Sequence, residues 1–207
     1  MIGLKIRVER LRKEDINDIV ALSSYIGWDY NREEVETIFN SGIVYGVWNE
    51  RKKLIASAAI ILYGEALASI GMVIVHPDYK GRGIGKAITS SCMNSVSAQT
   101  SIMLIATDEG KPLYKKLGFR VVSYVSKYIC NSYNTNYKCA EDEEYMMGYK
   151  EEDLERIIKI DEGAFGISRN EFLKQRIMQS EQCVVVKDTK ENVVGYGISI
   201  QTPENKI

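Results

Sequence analysis

Residues Val73 to Ala87 read VIVHPDYKGRGIGKA, and the order of residue types in this stretch decides the fold. An apolar run ends at Pro77, because proline lacks the N–H that a strand ladder requires. Gly81, Gly83 and Gly85 follow at alternate positions, and around and beyond them Ile84, Ala87, Ile88, Cys92 and Val96 fall at helical spacing. The stretch therefore predicts a strand, a glycine-rich loop and a helix. Glycines admit backbone conformations closed to other residues and let a ligand approach their N–H groups, while a helix start adds about half a positive charge. That geometry suits a pyrophosphate. Lys80, Arg82 and Lys86 are placed to add charge-assisted contacts to phosphate, although side chains of this kind also serve as solvated surface charge.

The flanks extend the pattern in both directions. Upstream, Leu67 to Val75 forms the strand that feeds the loop, with a turn before it at Gly64 and Glu65. Ile43 to Trp48 and Leu54 to Leu62 flank the polar stretch Asn49 to Lys53, which has the length of a hairpin turn. Leu4 to Leu11 alternates as a strand, and from Lys13 onward Ile16, Ile19, Val20 and Ser23 share one helical stripe. Gly27, Trp28 and Asp29 break that helix before a second, Glu33 to Asn40, whose Val35, Ile38 and Phe39 can face a core. Downstream come a strand at Ser101 to Ala106, a short helix at Lys111 to Leu117 and a strand at Phe119 to Tyr124. Pro112 suits the first turn of that helix and Gly118 its C-terminal cap. Asn131 to Asp142, polar and without period, predicts a linker.

Bulk composition removes several functions. The 207 residues are 45% hydrophobic and 27% charged, ordinary values for a chain that buries a core. The formal net charge of −1, from 27 basic and 28 acidic side chains, gives no overall field for nucleic acid or an anionic membrane. Cys92, Cys130, Cys139 and Cys183 form no CxxC pair, and His76 is the sole histidine, so no metal site is expected. The N-terminal MIGLKIRVERLRKED is interrupted by charge where a signal peptide would be apolar, and no apolar run is long enough to span a bilayer. The expected location is cytoplasmic, with the four thiols reduced.

Two other phosphate-binding patterns fail. A Walker loop needs GxxxxGK followed by Ser or Thr, whereas Lys86 is followed by Ala87. A Rossmann fingerprint needs GxGxxG in an early βαβ unit, whereas here GxGxG follows four predicted strands. The arrangement resembles instead the GNAT superfamily of acyl-CoA-dependent acetyltransferases, whose signature is an R/Q-x-x-G-x-G/A loop after a strand ending in V-x-P. Val75, Pro77, Tyr79, Gly81, Arg82, Gly83, Ile84 and Gly85 follow the pattern, and Lys80 departs from its first position. PLYKKLGF, Pro112 to Phe119, looks like the second hallmark of the superfamily.

The resemblance implies an α/β (α+β) fold with a mixed, mostly antiparallel central sheet flanked by helices. It implies N-acetyltransfer from acetyl-CoA to a primary amine by direct attack, the acceptor being a small-molecule amine or a protein amine. Tyr114 is by that match the general acid that protonates the departing thiolate. Gly81, Arg82, Gly83, Ile84, Gly85 and Lys86 would hold the pyrophosphate, and backbone groups of Val73, Ile74 and Val75 would pair with the pantetheine amides like an added strand. Trp28 and Asp29, in the connection between the first two helices, would form a wall of the acceptor pocket. The base is less defined: many relatives carry a carboxylate on the strand before the loop, where this chain has none, and Ser69 could relay only through water. Glu65, Asp29 and Asp108 are weaker candidates, and His76 is expected to face solvent. The alternative from another class is a non-catalytic acyl-CoA-binding regulatory module, which would keep the loop without needing Tyr114.

The opening pattern recurs. KEDINDIV at Lys13 to Val20 is echoed by KEEDLERII at Lys150 to Ile158, NREEV at Asn31 to Val35 by SRNEF at Ser168 to Phe172, and the hairpin Ile43 to Ile60 by Cys183 to Ile200. The second copy contains no equivalent of the strand, proline and glycine-rich loop. It looks like the front of a second GNAT fold, as in bacterial acetyltransferases with tandem GNAT domains. Residues 1–138 are therefore expected to form the acetyltransferase domain and 143–207 a partial GNAT-like C-terminal repeat. The strand at Val193 to Ile200 would lack its usual neighbour, which invites pairing with the first domain or with another subunit of a homodimer.

Overall fold

A computed structural model of the chain describes residues 6–128 and 146–200. The chain divides into two compact units, with the boundary after Ser126. In the first, β1 (Val8–Arg10), α1 (Ile16–Tyr25), α2 (Arg32–Ser41), β2 (Gly42–Trp48), β3 (Leu54–Tyr63), β4 (Leu67–Val75), α3 (Ile84–Met93), β5 (Ser101–Leu104) and α4 (Lys111–Lys116) follow in order. The strands form one sheet in the order β1-β2-β3-β4-β5, antiparallel except for the parallel pair β4 and β5. This is the mixed, mostly antiparallel sheet expected from the sequence.

Helix ends follow local chemistry. The Asn31 side chain accepts from Glu34 N at 2.8 Å while Glu34 returns a bond to Asn31 N at 3.4 Å, a reciprocal cap at the start of α2. Ile16, Ile19, Leu22 and Ser23 are the buried residues of α1, so Leu22 takes the inward place expected of Val20. Every residue of β3 is buried except Leu62, because helices cover both faces of the sheet: α3 on one, α1 and α2 on the other. Ile84, Ile88 and Cys92 of α3 pack on Ala58, Ile60, Ala68 and Ile70. Truncating such a fully buried isoleucine to alanine costs about 2–5 kcal/mol.

The expected strand at Phe119 to Tyr124 is not formed. Residues 119–128 carry no regular structure, and Val122 is 97% exposed. Its apolar spacing suits a strand, yet among the described residues the segment pairs with no strand and the outer edge of β5 is left without it, so spacing alone does not make the ladder. The expected linker at 131–142 lies outside the described residues.

The second unit contains β6 (Met146–Gly148), α5 (Leu154–Phe165), α6 (Asn170–Gln179), β7 (Gln182–Lys187) and β8 (Val193–Ser199). Its antiparallel sheet has the order β6-β7-β8. Ile157, Leu173, Ile177, Val185 and Val193 form its core. On its far side β8 has no strand partner among the described residues. No helix of the described residues is long and apolar enough to cross a membrane.

Candidate active site

β4 changes character along its length. From Leu67 to Ile70 it runs parallel to β5, with Ser69 opposite Met103 and Ile70 opposite Leu104. Past Ile70 that pairing ends, and β4 continues to Val75 bonded on its β3 side only. There the register slips: Ala59 faces Gly71 and Ser57 faces Ile74, so Met72 and Val73 together oppose Ala58. This is a bulge, one extra residue in the strand. It is absorbed at Met72, whose φ of 53° is uncommon for a residue with a side chain, and Ser57 Oγ holds it by donating to the Met72 carbonyl at 3.1 Å. Among the described residues, Val73, Ile74 and Val75 therefore present an unpaired backbone edge toward the β5 side, which an extended ligand can join as a strand would.

The loop begins where that edge ends. His76 N donates to the Ile55 carbonyl at 2.8 Å, closing the ladder to β3, and Pro77 to Tyr79 form one turn of 3₁₀ helix. Gly81 and Gly83 adopt φ of 75° and 81°, the left-handed region that disfavours any side chain. Gly83 is also the N-cap of α3 and offers no side-chain cap, which leaves the first-turn N–H groups to an outside acceptor. Nothing lies within 4 Å of a Cβ placed at Gly81, so the loop borders open space. A cradle of this kind, open, glycine-lined and at a helix N-terminus, fits a phosphate-bearing ligand.

The short helix α4 is seated beside the loop. A Cβ at Gly85 would lie 3.3 Å from Leu113 Cδ2 and 3.7 Å from Val75 Cγ2, so glycine there lets the first turn of α3, the end of β4 and α4 meet. Lys80 Nζ reaches Glu109 Oε1 at 2.8 Å, joining the loop to the β5–α4 connection. Tyr114 on α4 is half-buried and stands edge-on to Phe119, with ring centroids 6.0 Å apart. Burial pushes its pKa above the ordinary value, so the phenol holds its proton at neutral pH. Burial also pushes the Cys92 thiol up to about 12, which keeps it uncharged under Tyr114.

The remaining sequence candidates fall into three places. Ser69 lies in a row across the sheet, with Ile61 of β3 on one side and Met103 of β5 on the other. Trp28 and Asp29 are exposed in the connection between α1 and α2, with Trp28 at 6.1 Å from Tyr30. Glu65 is exposed at the opposite end of β4 from the loop, which separates it from Tyr114. His76 is a correction: it does not face solvent but is 5% exposed, stacked on Tyr25 with centroids 4.3 Å apart and the rings 18° from parallel. Tyr25, remote from the motif, and Tyr79, within it, supply the aromatic surroundings of His76. Among the described residues no group of three or more His, Cys, Asp or Glu side chains is placed to hold a metal. A concavity of ≈ 1050 Å³ opens in the second unit beside Tyr149, Ile177 and Cys183, and no residue of the glycine-rich motif lines it.

This combination of a splayed strand, a glycine-rich loop at a helix start and a tyrosine-bearing helix beside it defines a class, and the chain belongs to the GNAT superfamily of acetyltransferases. Residues 40–121 match an acetyltransferase (GNAT) domain family, and residues 157–207 match a second family of the same description. The uncharacterized N-acetyltransferase YitH of Bacillus subtilis (strain 168) is 33% identical over 197 residues, covering 95% of this chain and 69% of that protein. A glucosamine 6-phosphate N-acetyltransferase of Trypanosoma brucei brucei is 34% identical over 76 residues, 33% of this chain and 52% of that protein. In fold, a candidate acetyltransferase from Pyrococcus horikoshii superposes with a TM-score of 0.67 at 18% identity, covering 97% of this chain and 69% of that one. The protein is thus an acyltransferase of GNAT type, and the acetyl donor of that family is acetyl-CoA.

Proposed function

We propose that the chain transfers an acetyl group from acetyl-CoA to a primary amine, with the donor held along β4 and on the glycine-rich loop and with Tyr114 as general acid. The observation that carries this reading is the place where β4 leaves β5. Past Ile70 the edge of Val73, Ile74 and Val75 is unpaired among the described residues, and it leads straight to the open cradle of Gly81, Arg82, Gly83, Ile84, Gly85 and Lys86. Pantetheine amides would add to the edge and the pyrophosphate would sit in the cradle. Bound there, acetyl-CoA supplies an activated thioester. The chain supplies placement and a proton: the donor is fixed along a rigid edge, and the Tyr114 hydroxyl, kept protonated by burial, donates to the departing sulfur.

The acceptor is proposed to be a small-molecule amine. Its support is the related enzyme whose name specifies glucosamine 6-phosphate, and Trp28 and Asp29, exposed in the α1–α2 connection, are the residues we assign to the acceptor pocket. No carboxylate stands on β4, so we assign the base to water relayed by Ser69. Residues 1–138 are proposed to form the catalytic domain and 143–207 a partial copy without a donor site. The test is to titrate acetyl-CoA while following the melting temperature. A dose-dependent rise is expected, with no rise in Gly83→Val, because valine cannot hold φ of 81° at the N-cap. A normal rise in that variant would move the donor site elsewhere.

A further inference from the structure

The glycine-rich loop is anchored by contacts that the linear motif does not reveal. His76 is buried, with its ring stacked on Tyr25 at 4.3 Å and edge-on to Tyr79 at 5.8 Å, and its Nδ1 accepts from Asp78 N at 3.3 Å. Tyr79 lies against this ring and reaches across to the β2–β3 turn, where Asn49 Nδ2 donates to the Tyr79 hydroxyl at 3.0 Å. Asn49 is itself fixed, since its Oδ1 accepts from Arg51 N at 3.0 Å and Lys53 N at 2.9 Å. Lys53 closes the circle, its Nζ 5.4 Å from the centroid of Tyr25. On the loop side, the Arg82 guanidinium lies 5.1 Å from the Tyr79 centroid and donates to the Asp78 carbonyl at 2.9 Å.

We propose that Asn49, His76 and Tyr79 form a clamp that positions Arg82 and the phosphate loop before the donor binds. The inference rests on the reading of this loop as the pyrophosphate site. Three glycines in five residues make the loop costly to order, and a ligand that had to order it would bind more weakly. Fastening the loop at Tyr79 to a hairpin turn and to a buried ring reduces that loss. Arginine adds a second requirement, because its planar fork binds phosphate well only when directed. The face of Tyr79 and the Asp78 carbonyl direct it. None of the three clamp residues needs to touch the donor, so they are positioning residues, acting through Arg82 and the loop backbone.

Tyr79→Phe is the decisive variant. It removes the bond from Asn49 while keeping the ring under Arg82 and leaving the turn contacts of Asn49 intact. We expect the Kd for CoA, measured by calorimetry on the full chain, to rise about fivefold, the value of one hydrogen bond, with the melting temperature of the ligand-free protein unchanged. Two cycles separate positioning from general loosening. In an Asn49→Ala background, Tyr79→Phe should weaken CoA no further, since both remove one bond. In an Arg82→Ala background its effect should shrink, since the clamp acts through that side chain. Full, additive losses in both backgrounds would overturn the clamp, as would wild-type affinity in Tyr79→Phe. Gly83→Val, run in parallel, keeps the two ideas apart: if it abolishes CoA binding while Tyr79→Phe does not, the loop reading stands and the clamp fails, whereas wild-type affinity in Gly83→Val would remove the loop reading itself.

Discussion

The two units begin alike and end differently. Each opens with a short strand, a 3₁₀ turn, two helices and a hairpin, and the likeness reaches single bonds. Arg12 N donates to Asp15 Oδ2 at 2.8 Å in the first unit, and Lys150 N to Asp153 Oδ2 at 3.0 Å in the second. Both hairpins carry a register shift one residue before the turn, at Val47/Trp48 and at Val186/Lys187. Both turns place a residue at positive φ, Lys52 at 55° and Glu191 at 63°. Beyond the hairpin the likeness stops. β3 gains β4 as a neighbour and α3 as a cover, and its residues are buried almost throughout, whereas β8 keeps an open edge among the described residues and is mostly half-exposed. In the proposed reading, donor binding depends on elements that, among the described residues, the first unit alone has. On that proposal the front half of this fold is scaffold, and the strand, loop and helix that follow are the machine.

The largest effect that could break this contrast is stoichiometric. One equivalent of acetyl-CoA per chain is expected in calorimetry, and none in Gly83→Val. Two equivalents would mean that the second unit binds donor without the loop. Next in size is Tyr114→Phe, which should slow CoA release with an accepted amine by roughly 10²- to 10⁴-fold while leaving CoA affinity intact, because the ring remains. The pKa of Tyr114 is raised, so the wild-type turnover number should hold through the alkaline range to above about 10, the ordinary tyrosine value. A Phe variant with undiminished turnover would leave Tyr114 a packing residue.

Much of this was legible in the sequence because local rules and tertiary context agreed. The hairpin Gly42–Tyr63, the strand Leu67–Val75 and the start of α3 all stood where alternation, proline and glycine placed them. What stayed hidden depended on partners remote in the chain. The local hint of the bulge at Met72 is Gly71 beside it, while the slip that makes it lies between Ser57 and Ala59 on the neighbouring strand. His76 reads as a surface residue until Tyr25, 51 positions earlier, is folded onto it. β6 was missed because Met146–Gly148 is three residues long and pairs only through β7. The strand expected at Phe119 to Tyr124 shows the converse: apolar spacing alone does not make a strand, and the segment stays irregular although β5 keeps an open edge among the described residues.

Arg32 and Arg169 occupy matching positions of the repeat. Arg32 is half-exposed and reaches Glu36 at 3.0 Å and Asn17 at 2.9 Å on the surface. Arg169 instead grips Asp161 through two bonds of 2.8 Å, over the ring of Phe165, and Tyr196 donates to the same carboxylate, which is 4% exposed. Arg169→Ala should destabilise the chain by about 3 kcal/mol, because it strands a buried carboxylate, and Arg32→Ala by no more than about 0.5 kcal/mol. The bonds from Arg169, and then from Tyr196, hold the Asp161 pKa below its ordinary value. Its contribution is therefore present above the unfolded value of about 3.9 and is lost as pH falls through the lower, folded value. An acid melt should show that loss in the wild type and lack it in Arg169→Ala. Equal effects from the two arginines would mean that the second unit is not held by this pair.

The smallest expected effect is also the one that most directly separates scaffold from machine. Asn49 and Asp188 hold equivalent turns: Asn49 Oδ1 accepts from Arg51 N and Lys53 N, and Asp188 Oδ1 from Lys190 N and Asn192 N at 2.8 and 2.9 Å. Removing either side chain withdraws acceptors from two backbone donors that water can reach, so both Asn49→Ala and Asp188→Ala should lower the melting temperature only slightly. Their other contacts differ in kind. Asp188 spends its remaining capacity on Asn192 within its own turn, whereas Asn49 donates outward to Tyr79 on the phosphate loop. Only Asn49→Ala should therefore weaken CoA, and only the first turn should respond to donor, with slower amide exchange at Arg51 and Lys53 once CoA is bound and no change at Lys190 and Asn192. If CoA protects both turns alike, or if Asp188→Ala weakens donor binding as much as Asn49→Ala does, the two hairpins are coupled to the site together and the division drawn between the units does not hold.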